Sequence, residues 1–463
     1  MIKYDHHHHT LKRDEFRYQL QEVKEPNLYR DIYTYEMPPL LCFNHRISPL
    51  MPAEDIWITD TTFRDGQQAL PPFTPDQIVH LYDLLHKLSG PRGLIRQSEF
   101  FLYTDKDKEA VRRCLERGYE FPEVTGWIRA KKEDLSLVKE IGIKETGILT
   151  SASDYHIFNK LKMTRRQALD SYLEIVRAAL EMGVIPRCHL EDITRADFYG
   201  FVIPFAQELM KLSREAGVPV KIRACDTLGY GVSIPGVMLP RNVNGIIYGL
   251  KEYAGVPSEL MEWHGHNDFY RALSNSVAAW LYGCSAANGT LLGIGERTGN
   301  TAIEALIIEY IGLRGELAGV DTSVITEVAE YFEKELKYVI PHNQPLVGKN
   351  FNVTRAGIHA DGLMKDQEIY NIFDTEKLLK RPVDIGITDK SGAAGIAYWL
   401  NARLKIPEAH KVQKNDPGVI AIKDWVDLEY KNGRITGISD EEMWEQARIH
   451  FSEWVGYAQN DRR

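Results

Sequence analysis

The segment IWITDTTFRDGQQALPPFTPDQIV, residues 56–79, contains one complete strand–loop–helix unit. Its first four residues, 56–59, are a short run of β-favouring side chains, and the charged pair Arg64-Asp65 follows them. Thr74 then precedes Pro75 and Asp76, which is the pattern of a capped helix start. The segment therefore predicts a β-strand, a polar loop and an α-helix in that order.

The same unit recurs as far as about residue 315. Short β-rich runs alternate with longer amphipathic segments, which is typical of parallel βα repeats. The eight predicted strands are residues 56–59, 94–97, 123–126, 146–149, 184–188, 220–224, 260–263 and 287–291. Eight units predict an α/β fold of the (β/α)8 TIM barrel type. An open doubly wound sheet is less favoured, because no G-x-G-x-x-G motif opens the first unit.

Two further regions flank the predicted barrel. Residues 1–50 form a charged, aromatic-rich N-terminal extension that we expect to wrap the surface, and residues 51–315 form the barrel. Residues 316–463 are predicted to be a smaller, mostly helical C-terminal domain. Its predicted helices cover residues 325–332, 391–404 and 441–456.

The composition argues against several classes of protein. Of the 463 residues 44% are apolar and 26% are charged, and no apolar run reaches the length of a membrane span. A net charge of −9 argues against nucleic acid as a partner, since no basic stripe is present. The five cysteines form no C-x-x-C pair and the first residues do not read as a signal peptide, so we expect a cytoplasmic protein. The tract His6 to His9 is interpreted as a solvated tail.

Two histidines near the middle of the chain predict a metal site. His264 and His266 lie one residue apart at the end of a predicted strand, so both side chains point to the same face. Together with Asp65 they form a candidate facial triad for a divalent cation, to which Glu296 or Asn300 adds a further ligand. Mn²⁺ is the expected ion, and the ligand types also admit Mg²⁺, Co²⁺ or Zn²⁺. The alternative is a buried histidine pair that caps a strand.

A cation held in this way can chelate a 2-oxo acid through its keto oxygen and one carboxylate oxygen, which makes the keto carbon electrophilic. Arg64 is suited to stabilise a developing oxyanion, or alternatively to orient Asp65 as an ion pair. Polar residues also end the other predicted strands, where barrel active sites are assembled. They are Glu99, Arg129, Ser151, Ser153, Asp154, His156, His189, Glu191, Asp192, Asp226 and Thr227.

Three motifs carry a resemblance to a known family. TTFRDGQQ at residues 61–68, HGHND at 264–268 and GIGERTGN at 293–300 together resemble the signatures of the isopropylmalate and homocitrate synthases. These are metal-dependent TIM barrels, and the resemblance extends over about residues 55–400. It implies an acyltransferase that condenses acetyl-CoA with a 2-oxo acid.

The resemblance also implies roles for individual residues. The metal ligands would be Asp65, His264 and His266, with Asn300 in reach of the ion. The residues beside the oxo acid would be Arg64 and Gln68, and the other polar residues of the pocket would be Glu191, Thr227 and Glu296. Glu99, which follows the second predicted strand, is a further candidate for substrate binding.

The C-terminal domain takes part in this comparison as well. The segment 357–362 and Tyr370 resemble the part that such enzymes insert into the neighbouring subunit's active site, which implies a homodimer with swapped small domains. We predict that His359, assisted by Glu191 and Tyr370, handles the proton of acetyl-CoA, because a histidine titrates near neutrality.

Within this family the chain is most similar to the Re-type citrate synthases, which implies oxaloacetate as the acceptor. It has a long N-terminal extension, it carries Phe63 and Gln67 in its first motif, and it has no room for a leucine-sensing domain after residue 392. Arg129, with Ser151 and Ser153, is predicted to bind the distal carboxylate, since a guanidinium fork fits a carboxylate. The alternative is that Arg129 pairs with an acid of the barrel.

Three other functions stay open at this point. The first keeps the chemistry and changes the acceptor acid: a homocitrate synthase acting on 2-oxoglutarate, or an isopropylmalate or citramalate synthase. The second is a lyase of the same barrel class, which cleaves a carbon–carbon bond. A non-catalytic metal-binding paralogue is the most distant alternative, because such a protein would not need Arg64 together with Asp65, His264 and His266.

Overall fold

The computed structural model describes residues 2–5, 10–13 and 18–460. They divide into two compact units, Met1–Asp321 and Thr322–Arg463. The second unit begins at Thr322 rather than at the expected residue 316, and the N-terminal extension groups with the first unit. The tract His6 to His9 lies outside the described residues.

Eight parallel strands of the first unit close into a barrel. Before them, β1 (Ile2–Asp5) and β2 (Thr10–Arg13) pair as an antiparallel hairpin. The order around the barrel follows the chain, and the last strand pairs with the first. The barrel strands are β3 (Trp57–Asp60), β4 (Ile95–Phe101), β5 (Glu123–Arg129), β6 (Glu145–Ser151), β7 (Ile185–Glu191), β8 (Lys221–Asp226), β9 (Met261–Gly265) and β10 (Ala286–Gly289). The predicted TIM barrel is confirmed, and each predicted strand overlaps one of these eight.

A helix follows each barrel strand. Thr74 caps the first one: its Oγ1 accepts a hydrogen bond from the backbone N–H of Gln77, and the Gln77 side chain accepts one from the N–H of Thr74. The predicted helix start is thus confirmed. The helices are α1 (Pro75–Ser89), α2 (Asp105–Leu115), α3 (Leu135–Ile141), α4 (Arg165–Glu181), α5 (Ile203–Ala216), α6 (Val243–Glu252), α7 (Ala272–Leu281) and α8 (Ile303–Arg314).

The alternation of side chains along each strand separates two environments. Outward-facing residues such as Ile148, Leu190 and Ile222 are fully buried beneath the helices. Each such side chain contributes about 1.5–3 kcal/mol through its removal from water. Inward-facing residues of the same strands, such as Arg187 and Arg223, are equally buried but charged. The helix layer therefore supplies the apolar core, and the barrel interior is free to carry polar chemistry.

The N-terminal segment, from residue 18 to the first barrel strand, contains turns and contacts the barrel loops. The backbone N–H of Gln21 donates to the carbonyl of Gly200 at 2.9 Å, and Tyr33 Oη donates to the carbonyl of Thr194 at 2.5 Å. Further along, the guanidinium of Arg241 donates to the carbonyl of Pro39. The segment is therefore fixed to the loops that follow β7 and β8.

The second unit is mostly helical. Its elements are α9 (Val324–Lys334), β11 (Val353–Thr354), α10 (Gly357–Lys365), α11 (Thr375–Leu379), β12 (Asp384–Ile385), α12 (Gly392–Arg403), α13 (Pro417–Lys431), α14 (Asp440–His450) and α15 (Ser452–Asn460). The predicted helices over 325–332 and 391–404 correspond to α9 and α12. The prediction of one helix over 441–456 is wrong, because the backbone of Phe451 turns to φ −138° and divides the segment into two.

No helix in the described part of the chain combines the length and the apolar character that crossing a membrane requires.

Candidate metal centre and active site

The turn that follows β3 places Asp65 at the carboxyl end of the barrel. The N–H groups of Asp65 and Gly66 both donate to the carbonyl of Thr61, which closes the turn. A Cβ on Gly66 would lie 3.1 Å from Cγ1 of Ile294, so glycine at this position allows the turn to pack against the 293–300 loop. Two of the three sequence motifs are thereby brought together.

Asp65, His264 and His266 converge as the sequence predicts. Oδ2 of Asp65 lies 3.3 Å from Nε2 of His264 and 3.4 Å from Nε2 of His266. One ligand atom from each residue lies within 4.8 Å of the others, and all three residues are buried. This spacing suits three ligands of one divalent ion.

Two asparagines complete the surroundings of the three residues. Oδ1 of Asn288 lies 2.7 Å from Nδ1 of His264, which fixes that ring so that Nε2 faces Asp65. Asn300 pairs with His266 through a backbone bridge. Among the described residues, Oδ1 of Asn300 and Nδ1 of His266 are buried without a hydrogen-bond partner. A buried amide oxygen normally accepts a hydrogen bond, so the unpaired Oδ1 of Asn300 is available as a ligand for a cation.

The charge state of these residues also fits a cation. Burial opposes ionisation of Asp65, but Arg64 and the hydrogen bonds from His264 and His266 outweigh it and hold its pKa well below the usual range. Burial lowers the pKa of His264. An ionised carboxylate and a neutral imidazole are the forms that bind metal. The donor set therefore fits a divalent ion, and the predicted convergence is present.

Arg64 is fixed by a second carboxylate. Its Nε donates to Oε2 of Glu99 at 2.8 Å, and its Nη1 lies 3.5 Å from Oδ2 of Asp65. Glu99 also pairs with two other arginines. Its Oε1 lies 2.8 Å from Nη2 of Arg187, and its Oε2 lies 2.9 Å from Nη1 of Arg223. Burial opposes the charge of Glu99, but Arg223, Arg64 and His189 outweigh it and hold its pKa well below the ordinary value. Glu99, predicted as a pocket residue, is thus the centre of a buried ion network.

Four members of this network, Glu145, Arg187, Arg223 and Glu262, were not predicted from the sequence. Arg187 also binds Glu145, and Arg223 binds Glu262, all inside the barrel. His189 lies over Gly147, where a Cβ would come within 2.5 Å of the imidazole Nε2. The signal for these residues is alternation: in β7, Arg187, His189 and Glu191 lie two residues apart and therefore on one face.

Glu191 lies beside this network, at the end of β7. Its Oε2 accepts a hydrogen bond from Oγ of Ser151 and lies 3.0 Å from Nδ1 of His156, and its Oε1 lies 3.3 Å from Nζ of Lys160. Burial opposes its ionisation, but His156, Ser151 and Lys160 outweigh that effect and lower the pKa of Glu191 to about 2. Glu191 is therefore a carboxylate at neutral pH.

Of the other predicted pocket residues in the first unit, Ser153 and Thr227 contact Asp192, whereas Gln68 and Glu296 are exposed. Oγ1 of Thr227 accepts a hydrogen bond from the N–H of Asp192 at 2.8 Å. Oγ of Ser153 donates to Oδ2 of Asp192, and Ser153 is fully buried. Gln68 and Glu296 are exposed, on the loops that carry Asp65 and Asn300.

Arg129 pairs with an acid of the barrel, which is the alternative that the sequence left open. Its Nε and Nη2 both donate to the carboxylate of Asp134 at 2.8 Å, and its side chain is 53% exposed. Both arms of the guanidinium fork are therefore occupied by an acid of the loop after β5. Its predicted contact with a substrate carboxylate stays a prediction.

His359 and Tyr370 belong to the second unit, where they lie together. Their ring centroids are 4.4 Å apart, and Oγ1 of Thr354 lies 3.1 Å from Nδ1 of His359. Thr354 therefore contacts Nδ1 of His359 and not its Nε2. Tyr370 is about half exposed.

Fold and site together define a TIM-barrel protein with a buried two-histidine, one-carboxylate centre at the carboxyl end of its strands. The HMGL-like family profile matches residues 55–331, and the chain belongs to this family. A solved hydroxymethylglutaryl-CoA lyase from Pseudomonas aeruginosa superposes with a TM-score of 0.50 at 17% identity, covering 62% of this chain and 95% of that one. At this identity the similarity shows the fold alone.

Relatives of higher identity match nearly the whole chain. A citrate (Re)-synthase from Syntrophus aciditrophicus is 59% identical over 96% of this chain and 71% of its own length. A citrate (Re)-synthase from Clostridium kluyveri is 57% identical over 94% of this chain and 96% of its own. A 2-phosphinomethylmalate synthase from Streptomyces hygroscopicus is 36% identical over 92% and 96%. The resemblance inferred from three motifs is thus confirmed.

Proposed function

We propose that this protein is an acyltransferase of the citrate (Re)-synthase type. It condenses acetyl-CoA with oxaloacetate and water to give citrate and CoA, a reaction that feeds the tricarboxylic acid cycle. The observation that carries the reaction type is the convergence of Asp65, His264 and His266 on one point beside Arg64. The choice of oxaloacetate is supported by the identity of 59% and 57% to two citrate (Re)-synthases.

Asp65, His264 and His266 would hold the divalent cation, and the amide oxygen of Asn300 would add a further ligand. When bound, the cation acts as a Lewis acid on the keto carbonyl of the oxo acid. Mn²⁺ is the proposed ion; Mg²⁺, Co²⁺ and Zn²⁺ have compatible ligand preferences. Asn288 keeps the ring of His264 in the orientation that exposes Nε2 to the site.

Arg64 stabilises the negative charge that develops on the reacting oxygen. Glu99 receives its Nε, so the orientation of the guanidinium is fixed before substrate arrives. Gln68, on the same turn, contributes a neutral donor beside the oxo acid. Arg64 is the more effective donor of the two, because its side chain is only 12% exposed and a charge acts more strongly where little water screens it.

Glu191 acts as an oriented anion rather than as the base. A carboxylate whose pKa is about 2 is too weak a base to take a proton from the methyl group of acetyl-CoA. We therefore assign the proton to His359, with Tyr370 beside it, and we assign to Glu191 the stabilisation of the protonated imidazole. The second unit of one subunit would supply these two residues to the barrel of the other, in a homodimer with swapped small domains.

The remaining pocket residues recognise the acid. Ser153, Thr227 and Glu296 are proposed to line the substrate pocket, and Arg129 is proposed to bind the distal carboxylate. For the last role Arg129 must exchange its contact with Asp134 for the substrate. We also propose a cytoplasmic location, which the five free cysteines support.

A panel of oxo acids tests the substrate. The purified protein is incubated with Mn²⁺, acetyl-CoA and one of oxaloacetate, 2-oxoglutarate, 2-oxoisovalerate or pyruvate, and free CoA is measured with a thiol reagent. We expect turnover with oxaloacetate, and citrate as the product. If only another oxo acid is turned over, that acid is the acceptor instead of oxaloacetate. Cleavage of citryl-CoA or another acyl-CoA without condensation favours a lyase.

Replacement of one ligand tests the metal centre. Asp65→Ala should lose bound Mn²⁺ and all turnover, since the facial set then has no charged ligand. Asp55→Ala is the matched control, because Asp55 is an exposed carboxylate paired with Arg96 away from the centre. If Asp65→Ala turns over substrate as fast as Asp55→Ala, then Asp65, His264 and His266 are not required for catalysis and have only a binding role.

A further inference from the structure

The orientation of Glu191 is set by the segment that follows β6. Ser151, His156 and Lys160 all reach its carboxylate. The His156 side chain is 17% exposed, whereas that of Lys160 is 52% exposed. Exposed ion pairs contribute little, so the contact with His156 is the stronger restraint of these two.

Both ring nitrogens of His156 face carboxylates. Nδ1 lies 3.0 Å from Oε2 of Glu191, and Nε2 lies 3.6 Å from Oδ2 of Asp192. Asp192 is fully buried and is held in turn by Arg195 and Ser153. Only the Nδ1 contact is within hydrogen-bond distance, so the ring holds Glu191, while Nε2 faces Asp192 without a hydrogen bond.

The helical turn that carries His156 is secured from outside by the N-terminal segment. It is a π-helix, Tyr155–Lys160, a form that is frequent at functional sites. Tyr155 Oη donates to the carbonyl of Leu28 at 2.7 Å, and the guanidinium of Arg195 lies 4.0 Å from the centre of the Tyr155 ring. The N–H of Asn27 donates to the Asp154 carboxylate at 2.8 Å, at the start of the same turn. The extension therefore lies against the residues next to His156.

We propose that His156 is a positioning residue for Glu191, and that the N-terminal segment around residues 27–28 holds the π-helix in the register this contact requires. The proposal rests on the function proposed above, in which Glu191 is an oriented anion. It gives the N-terminal extension a role in catalysis through Tyr155 rather than through contact with substrate.

This role predicts which kinetic constant changes. The polar contacts of His156 with Glu191, Asp192 and Lys160 lie on the β6–β7 side of the barrel. Loss of its donor should therefore lower kcat and leave KM for oxaloacetate nearly unchanged. A lost hydrogen bond to a charged group corresponds to a fall in kcat of about 10- to 100-fold.

Three substitutions separate positioning from simple packing. His156→Leu removes both nitrogens. His156→Asn places an amide N–H near the position of Nδ1 and should recover kcat to within about 3-fold of wild type, because the donor to Glu191 is kept. His156→Gln places its amide near Nε2, towards Asp192, and should recover much less. Asn159→Ala, an exposed position on the same turn, is the control and should equal wild type.

Tyr155→Phe tests the link to the N-terminal segment, since it removes only the hydrogen bond to Leu28. It should lower kcat several-fold, and it should add nothing in a His156→Leu background. Equal kcat for wild type and His156→Leu would overturn the proposal, as would equal values for the Asn and Gln variants. Absence of turnover by wild type with every oxo acid would instead overturn the proposed function, on which this inference depends.

Discussion

Glu99→Gln is the substitution with the largest expected effect on stability. The change removes one negative charge and almost no volume. In the folded protein this carboxylate receives Arg64, Arg187 and Arg223, and its side chain is 1% exposed. The three arginines and Lys221 share four buried carboxylates: Arg64 also contacts Asp65, Arg187 and Lys221 both bind Glu145, and Arg223 also binds Glu262. Without the charge of Glu99, these four cations face three anions.

The magnitude follows from that imbalance. Removing one partner of a buried ion pair costs about 3–5 kcal/mol, because a net charge is left in an interior that water does not reach. Glutamine keeps one oxygen acceptor, so the lower half of this range is expected. The pKa of Glu99 is lowered in the folded state. Its contribution is therefore present above the glutamate pKa of the unfolded chain, about 4.3, and is lost as the pH falls further.

Urea denaturation at pH 7 and again at pH 4 measures this effect. Glu140→Gln is the matched control: Glu140 also binds two cations, Lys108 and Arg112, but its side chain is 45% exposed. Glu140→Gln should leave the denaturation midpoint nearly unchanged. If Glu99→Gln costs less than about 1 kcal/mol at pH 7, the interior network is not a closed charge balance and the reasoning is refuted.

Two further predictions concern α8 and its surroundings. Burial raises the pKa of Glu304 to about 7, so its protonated form is favoured in the folded state and its stabilising effect is lost as the pH rises from about 4.5 through 7. Glu304→Gln should therefore equal wild type at pH 4 and exceed it by up to about 3 kcal/mol at pH 8, as measured by urea denaturation at both pH values. Gly312→Ala should raise stability by about 0.5–1 kcal/mol in thermal unfolding, because a Cβ there meets no atom within 4 Å in a helix. Gly315→Ala, at the end of the same helix with φ +71°, should lower it.

The barrel and its candidate metal centre were predictable because both depend on local patterns in the sequence. Strand periodicity and helix caps are local properties, and they gave all eight strands and the start of α1. The pair His264 and His266 shares a face because of that periodicity. Asp65 was assigned to them as the charged ligand of a facial triad, and the structure places its Oδ2 3.3 Å and 3.4 Å from Nε2 of the two rings.

The partners of individual polar residues were less accessible. Arg129 is the clearest case: the sequence offers a substrate carboxylate or a local acid, and both fit a guanidinium fork equally well. Asp134 lies five residues further on, and only the path of the loop after β5 brings it to both arms of Arg129. The helix predicted over 441–456 failed for a similar reason, since the break at Phe451 depends on one backbone angle.

The amino-acid sequence by itself determined the barrel, the order of its units and the residues able to bind a divalent ion. Those features follow from the repeat of apolar and polar side chains along each element and from three short motifs. The tertiary structure decided the closed charge network around Glu99 and the placement of His156 against Glu191. Buried charges must be paired with one another, and which pairs form depends on how eight separate strands meet inside one barrel.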